Sequence, residues 1–296
     1  AAAAPVPLDL GAVAVLGEPG SFSQEALASA FGRATPAVFG KTFRLVFDAV
    51  HSGRAKAALV PVENSTSGPI YEVYDLLLSH DLQIVAEVVL PVRHALLAPP
   101  GTALADVRTV VSHPQALSQC NAWIETHGWA QRPTSNTAGA ARLVGAAEEP
   151  GLAAIASPMA GELHGLTVLA NDIQDVSENY TRFILLVPSH IAARPLAVPG
   201  FAPGTDGLRP VKTSIIFATR HVAGDLYGCL AEFAVRDINL TRIESRPDRR
   251  TPWHYLFYLD FEGEARDPRM AAALRGIQRH ATFIRVLGSY PSRALT

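Results

Sequence analysis

The chain is poor in the residues that would announce a charged binding surface or a covalent framework. Of its 25 basic residues only Lys41, Lys56 and Lys212 are lysine. The arginines are spread over the whole length, so the imbalance reads as biased codon usage and not as a patch. Charged residues make up 18%, against a usual share of about 25%, and the net charge is −2. With no basic excess, no nucleic-acid partner is expected. Cysteine is almost absent: Cys120 and Cys229 stand far apart with no metal-like spacing. That excludes a disulfide framework and predicts a reducing compartment, here taken as the cytoplasm. No apolar run reaches the roughly 18 residues a membrane helix needs, so no membrane partner is expected. The opening Ala1-Ala2-Ala3-Ala4-Pro5-Val6-Pro7 lacks a basic start and a long apolar run, and is not read as a signal peptide. The patterns G-x-G-x-x-G, G-x-S-x-G, H-E-x-x-H and the P-loop are missing. The ten histidines are scattered, with His51, His80, His113, His164 and His254 read as surface or structural. Chemistry without a cofactor or a metal is expected.

What is present is apolar material, 48% of 296 residues. That is enough for about two domains. A boundary is visible at 188–210, where five prolines and three glycines fall within 23 residues; no periodic helix or strand is expected there. Whether the connection is an ordered strap or a loose linker stays open. The residues before it repeat one theme: a short apolar run, a turn of small or polar residues, then a helical pattern. Val13–Leu16, Ala57–Val60, Val107–Val111 and Ala153–Ala156 each lead into such a turn. The alternation predicts an α/β architecture with a largely parallel sheet, with ligands at the carboxyl ends of the strands. The last 86 residues read instead as strand, helix, hairpin, helix and strand. Asp225–Arg236 is the first helix, with Leu226, Leu230 and Phe233 on one face. Asp267-Pro268 opens the second, with Met270, Leu274 and Ile277 apolar. The order βαββαβ is ferredoxin-like.

The turns carry the chemical interest, because free N–H groups and the macrodipole make a helix N-terminus a ready anion site. Ser21-Phe22-Ser23-Gln24 and Ser112-His113-Pro114-Gln115 also fit the S-x-x-Q capping box. Two readings therefore stand for their serines, as caps or as substrate donors. Glu63-Asn64-Ser65-Thr66-Ser67-Gly68 follows an apolar run and is either a capped turn or a carboxylate and amide at a cleft mouth. Asn179-Tyr180-Thr181-Arg182-Phe183 precedes another run. Its Arg182 suits a structural carboxylate or a bidentate clamp on a substrate carboxylate.

Taken together, these segments resemble prephenate dehydratases. Gly17-Glu18-Pro19-Gly20-Ser21-Phe22-Ser23 is similar to the family's opening turn, G-P-x-G-T-F-S. Val60-Pro61-Val62-Glu63-Asn64-Ser65 is similar to V-P-x-E-N-S. Ser112 to Cys120 is close to S-H-P-Q-x-x-x-Q-C, and Asn179-x-Thr181-Arg182-Phe183 matches N-x-T-R-F. The C-terminal part resembles the ACT domain attached to these enzymes. Glu244-Ser245-Arg246-Pro247 is its E-S-R-P motif, and Gly224-Asp225-Leu226 stands where G-A-L is usual, with Asp225 in place of a small apolar residue.

The resemblance implies a two-lobed, periplasmic-binding-protein-like catalytic domain at 1–187. One lobe is about 1–83 with 176–187, the other is 84–175, and the cleft lies between them. The connection 188–210 and an ACT regulatory domain at 211–296 follow. It implies conversion of prephenate to phenylpyruvate, water and carbon dioxide, driven by aromatisation. Thr181 is implied as the central catalytic residue, with Glu63, Asn64, Ser112 and Gln119 beside it. Ser21, Ser23, Ser65, Arg182 and Phe183 are implied to bind the substrate. L-Phenylalanine is the implied effector, bound through Gly224, Leu226, Glu244, Ser245, Arg246 and Pro247 between the ACT domains of a homodimer or homotetramer. A constitutive dimerisation module is the other reading of that part. Arogenate is a rival substrate, and a small-anion-binding module with a sensory tail is the non-enzyme alternative.

Overall fold

Three of the expected strand-to-helix turns begin where an apolar strand runs out, whereas the strand expected to end at Val60 continues to Asn64. The computed structural model describes residues 4–202, 204–205, 207–248 and 254–295. Ala1–Ala3 of the opening stretch, and Pro203 and Asp206 of the proline-rich connection, lie outside the described residues.

The chain divides into two compact units. One comprises Asp9–Leu76, Val89–Phe183 and Leu295. In its first lobe Val13–Leu16 lies between Ala37–Gly40 and Ala57–Asn64, parallel to both. The helix Phe22–Phe31 starts on Ser21, whose side chain accepts from the Gln24 amide. The helix Phe43–His51 starts on Thr42 in the same way. Each cap satisfies one of the amides a helix start leaves without a partner.

The second lobe is a five-stranded sheet in the order Thr167–Ala170, Ala95–Ala98, Leu152–Ala156, Thr109–Ser112, Ala130–Pro133. The last three run parallel, while Ala95–Ala98 is antiparallel to both its neighbours. Four of the five strands therefore point the same way, as a largely parallel sheet requires, and the one reversed strand is Ala95–Ala98, which opens the lobe instead of following one of its helices. Neighbouring residues face opposite ways. Leu96, Val110 and Ile155 pack with Leu117, Ile124 and Trp129 on one side. Leu97, Val111 and Ala154 pack with Ala140, Ala141 and Val144 on the other. A strand covered on both faces must be apolar at every position, which is why these segments read as unbroken runs.

The other unit comprises the chain through Leu8, Leu77–Val88 and Ile184–Ala294. Its strands Leu208–Thr219, Leu240–Pro247, Tyr255–Glu262 and Ala281–Ala294 alternate with the helices Asp225–Ala234 and Pro268–Ile277. The spatial order is second, third, first, fourth, with antiparallel pairing throughout. This is the expected ferredoxin-like arrangement. Phe217, Cys229, Phe233, Phe261, Met270 and Ile277 share its core. Residues 77–88 and 184–187 belong to this unit, although sequence patterning groups them with the first part. Close backbone approach at Gly288 and a Ser292-to-Glu87 hydrogen bond of 2.6 Å tie 82–88 to Ala281–Ala294. The first part of the proline-rich connection is ordered, contrary to the absence of elements expected from its composition. It holds a short helix, Ser189–Ala192, and its Leu196–Ala197 pairs in parallel with Val6–Pro7. The pairing uses Val6 N–H to Pro195 O and Leu8 N–H to Ala197 O, so the prolines supply acceptors only.

Candidate active site

The site lies within the first unit and is organised by Asn64. This residue ends the strand Ala57–Asn64 and is 7% exposed. Its Oδ1 accepts from the Thr66 and Ser67 amides, both at 3.1 Å, and from their hydroxyls at 2.7 and 3.0 Å. Its Nδ2 donates to Asn179 Oδ1 at 2.7 Å, to Tyr180 O at 3.1 Å and to Thr181 Oγ1 at 3.0 Å. Two segments far apart in sequence are thus clamped by one carboxamide. Ser65 strengthens the clamp: its amide donates to Tyr180 O, its hydroxyl to Glu178 O, and it accepts from the Tyr180 amide. Thr181 is buried. Its oxygen receives the Asn64 amide, which leaves the hydroxyl proton as a donor.

Donors from the second lobe reach across to this clamp. Gln119, at the end of the helix Pro114–Gln119, donates to Thr66 Oγ1 at 2.8 Å, and Gln115 donates to Ser67 Oγ at 2.8 Å. The Gln119 Oε1 is 2.9 Å from His94 Nε2. His94 is 2% exposed and stands where the chain crosses from one lobe to the other. Its backbone N–H donates to Gln174 Oε1, and its carbonyl accepts from the Ile173 amide. Burial lowers the His94 pKa, with the Gln119 hydrogen bond opposing. Its Nδ1 and the Asn179 Nδ2 are buried with no hydrogen-bond partner among the described residues.

The Gly17–Ser21 turn is also held by the second lobe. Glu18 accepts from Asn136 at 2.9 Å and from Arg142 at 2.8 Å. Burial raises the Glu18 carboxyl, but these two hydrogen bonds more than offset it and leave it below the usual range. Ser157 caps the helix Pro158–His164 and donates to Gly20 O at 2.7 Å. Gly20 has φ +89°, and a Cβ there would lie 2.9 Å from Ala160 Cα. Only glycine fits that approach.

The other sequence-derived positions divide. Arg182 donates to Glu63 at 2.7 Å, both side chains being partly exposed; its charge is met by a structural carboxylate, the first of the two roles the sequence allowed. Ser112 is fully buried and its hydroxyl donates to Ile155 O at 2.5 Å, so it ties two strands and is not a substrate donor. The cap of its helix is His113, whose ring accepts from the Gln115 amide. Phe183 is 2% exposed and belongs to the core. Ser21 acts as a helix cap, and Ser23 lies on the buried side of the same helix. Cys120 is buried, and burial pushes its thiol up to about 12, which makes it an inert packing residue. Of the effector positions, Gly224 caps the helix Asp225–Ala234 with φ +87°, and Leu226 packs on the core. Glu244–Pro247 end the edge strand Leu240–Pro247. Asp225 is buried and accepts from Arg220 Nε at 3.0 Å and from Arg220 Nη2 at 2.6 Å.

Sequence reasoning missed His94, Gln115, Thr66, Ser67 and Glu18. His94 did leave a signal: with Arg93 it interrupts the apolar stretch Val88–Ala98, and a polar residue buried in such a run needs a partner. The others lie inside the quoted motifs, but their partners are distant in sequence.

The family model for prephenate dehydratase matches residues 13–190. Arogenate dehydratase/prephenate dehydratase 2, chloroplastic, of Arabidopsis thaliana is 43% identical over 288 residues, 94% of this chain and 72% of its own length. The structure of prephenate dehydratase in complex with L-Phe from Arthrobacter aurescens superposes with a TM-score of 0.81 at 35% identity, covering 94% of this chain and 89% of that one. That of GqqA, described as a novel type of quorum quenching acylase, superposes with a TM-score of 0.83 at 32% identity, over 95% of this chain and 98% of its own. The Arabidopsis relative's chloroplast designation overturns the cytoplasmic expectation. Few cysteines report a reducing environment, and redox poise does not name a compartment. Among the described residues, no helix is long and apolar enough to cross a membrane.

Proposed function

The chain belongs to the prephenate dehydratase family, and on that premise we propose that it converts prephenate to phenylpyruvate under control by L-phenylalanine. The carrying observation is the hydrogen bond from Asn64 Nδ2 to Thr181 Oγ1. It presents the Thr181 hydroxyl as a donor at the point where two lobes meet. In the reaction the C–CO2 bond of the ring breaks, its electron pair enters the ring, and the C–OH bond opposite breaks as the ring becomes aromatic. Thr181 donates its hydrogen bond to the departing oxygen and stabilises the charge that develops there. The unpartnered Asn179 Nδ2 is a second donor for an anionic substrate. Net charge gives little help in holding a dianion, so a few placed amides and hydroxyls must do so.

Arogenate is the second reading, favoured by the Arabidopsis relative's double name. Its amine replaces the keto group, away from the bond-breaking centre, so the same Thr181 geometry serves either substrate. An acylase reading is less well supported. A threonine nucleophile needs a base to take its proton, and the partner recorded for Thr181 Oγ1 is an amide donor.

Catalysis is assigned to 1–187 and regulation to 211–296. The assigned effector residues are Gly224, Leu226 and Glu244–Pro247, acting between two copies of the chain. The experiment is turnover of prephenate and arogenate by wild type, Thr181→Ala and Glu63→Gln. Thr181→Ala is expected to lose turnover, while Glu63→Gln, which keeps an acceptor for Arg182, is expected to retain most of it. Near-normal turnover in Thr181→Ala contradicts the assignment.

A further inference from the structure

We infer that His94 is a positioning residue: by donating its Nε2–H to Gln119, it sets the direction of a hydrogen-bond chain that ends with Thr181 offering its proton outward. The inference rests on Thr181 being the group that meets the substrate.

The chain runs His94, Gln119, Thr66, Asn64, Thr181, with links of 2.9, 2.8, 2.7 and 3.0 Å. Three of its links have a fixed sense. Gln119 Nε2 donates to Thr66, the Thr66 hydroxyl donates to Asn64 Oδ1, and Asn64 Nδ2 donates to Thr181. With its nitrogen turned to Thr66, Gln119 shows His94 an oxygen, which can only accept. The imidazole must then carry its proton on Nε2. The remaining nitrogen, Nδ1, is buried without a partner, as a bare lone pair against apolar neighbours would be. The Phe22 ring stands edge-on to the imidazole with centroids 5.4 Å apart. Burial also disfavours the charged form, so the ring is neutral and a single tautomer sets the pattern.

The opposite tautomer reverses the first links. Gln119 would turn its nitrogen to His94 and its oxygen to Thr66, and the Thr66 hydroxyl would then donate to Gln119. Asn64 Oδ1 would lose one of its donors and the clamp on Thr181 would loosen. A misplacement of about 1 Å at a reacting group can lower the rate about 100-fold.

The test has three parts. Ring nitrogen NMR of the full-length protein, with the His94 signals assigned by comparison with His94→Gln, is expected to show a protonated Nε2 and a bare Nδ1. The Nδ1–H tautomer would overturn the inference. In kinetics, His94→Leu removes the donor and is expected to lower kcat by about 10-fold or more with KM changed less than about 3-fold. His94→Gln places an amide N–H near the old Nε2 and is expected to restore most of kcat. Equal activity of His94→Leu and wild type would overturn the inference, as would failure of His94→Gln to exceed His94→Leu. Should His94→Leu not fold, Gln119→Glu substitutes for it. A carboxylate cannot donate to Thr66, so unchanged kcat there would also overturn the inference. Thr181→Ala run alongside separates the two levels. Activity lost in Thr181→Ala but intact in His94→Leu rejects the role of His94 alone, whereas turnover intact in Thr181→Ala rejects the reading of the site.

Discussion

Asn64 does two jobs with the two ends of one carboxamide, and substitutions can separate them. Asn64→Asp keeps an acceptor for the Thr66 and Ser67 donors but cannot donate to Thr181. It is expected to lose turnover more than about 100-fold with a modest change in Tm. Asn64→Ala also strands those donors and is expected to cost a further 1–3 kcal/mol or so of stability, read by urea denaturation. Equal stability of the two variants would mean that the oxygen side has no role of its own, and near-normal turnover in Asn64→Asp would mean the same of the amide side. Glu25 offers a second test at this scale. It sits in the first turn of the helix Phe22–Phe31, one carboxylate oxygen buried without a partner, and burial raises its pKa to about 7. A carboxyl raised in the folded state binds its proton more tightly than in the unfolded chain. Stability therefore falls as pH rises from about 4 to 7 and stays lowered above that. Glu25→Gln is expected to be more stable than wild type at pH 8, by up to roughly 3 kcal/mol, and about equal near pH 4. A pH-independent difference would contradict the burial. The acceptor side of Asn64 meets its own neighbours Thr66 and Ser67, but the partners of its amide side lie far away in sequence. From its own residues Asn64 was legible as part of a polar cluster after an apolar run, and its bond to Thr181 became visible only when the chain closed over 117 positions.

At the scale of the element, the turns were legible and their docking was not. The cap at Ser21 follows from local sequence, and so do the apolar faces of Asp225–Ala234 and Pro268–Ile277. That the Gly17–Ser21 turn rests on the helix Pro158–His164 and is held by Asn136 and Arg142 depends on pairing over more than 100 residues, which no local pattern carries. Gly20→Ala adds a Cβ at a left-handed φ against backbone. It is expected to lower both turnover and Tm, and the strain can be separated from the lost contact by comparison with Arg142→Ala. The Glu18 latch has its own pH dependence. Its carboxyl is lowered in the fold, so its contribution is present above the ordinary glutamate pKa of about 4.3 and is lost as pH falls through the lowered value. Arg142→Ala should narrow the difference in Tm between pH 6 and pH 3; an unchanged difference would mean that the latch is not made in solution. The same limit explains Ser112. Its position in an S-x-x-Q string suited a cap, but the cap is His113, and the strand geometry turns the serine hydroxyl inward to Ile155.

At the scale of the molecule, the proposed division between chemistry and regulation was drawn in the sequence at the proline-rich connection. The first part of that connection is more ordered than its composition implied, and 82–88 packs with the C-terminal strands, because long apolar strands give no sign of which sheet they will join. Asp225, standing where the family has a small apolar residue, is neutralised by Arg220 and held below the usual carboxylate range first by that hydrogen bond. On the proposed effector assignment, Asp225 then presents no free carboxylate to oppose an effector's charge. L-Phenylalanine is expected to lower turnover and raise Tm in the wild type. Arg220→Ala, which leaves Asp225 uncompensated, is expected to weaken both responses while sparing basal activity. Absence of both responses in the wild type would leave the C-terminal part a constitutive dimerisation module.

The most direct measurement is the appearance of the aromatic product when the purified full-length protein is given prephenate, with arogenate and Thr181→Ala run in parallel. The expected result is phenylpyruvate from prephenate, accompanied by carbon dioxide, with product from either substrate abolished by Thr181→Ala. No product from prephenate or arogenate, or undiminished product with Thr181→Ala, would contradict the assignment of the chemistry to the Asn64–Thr181 clamp.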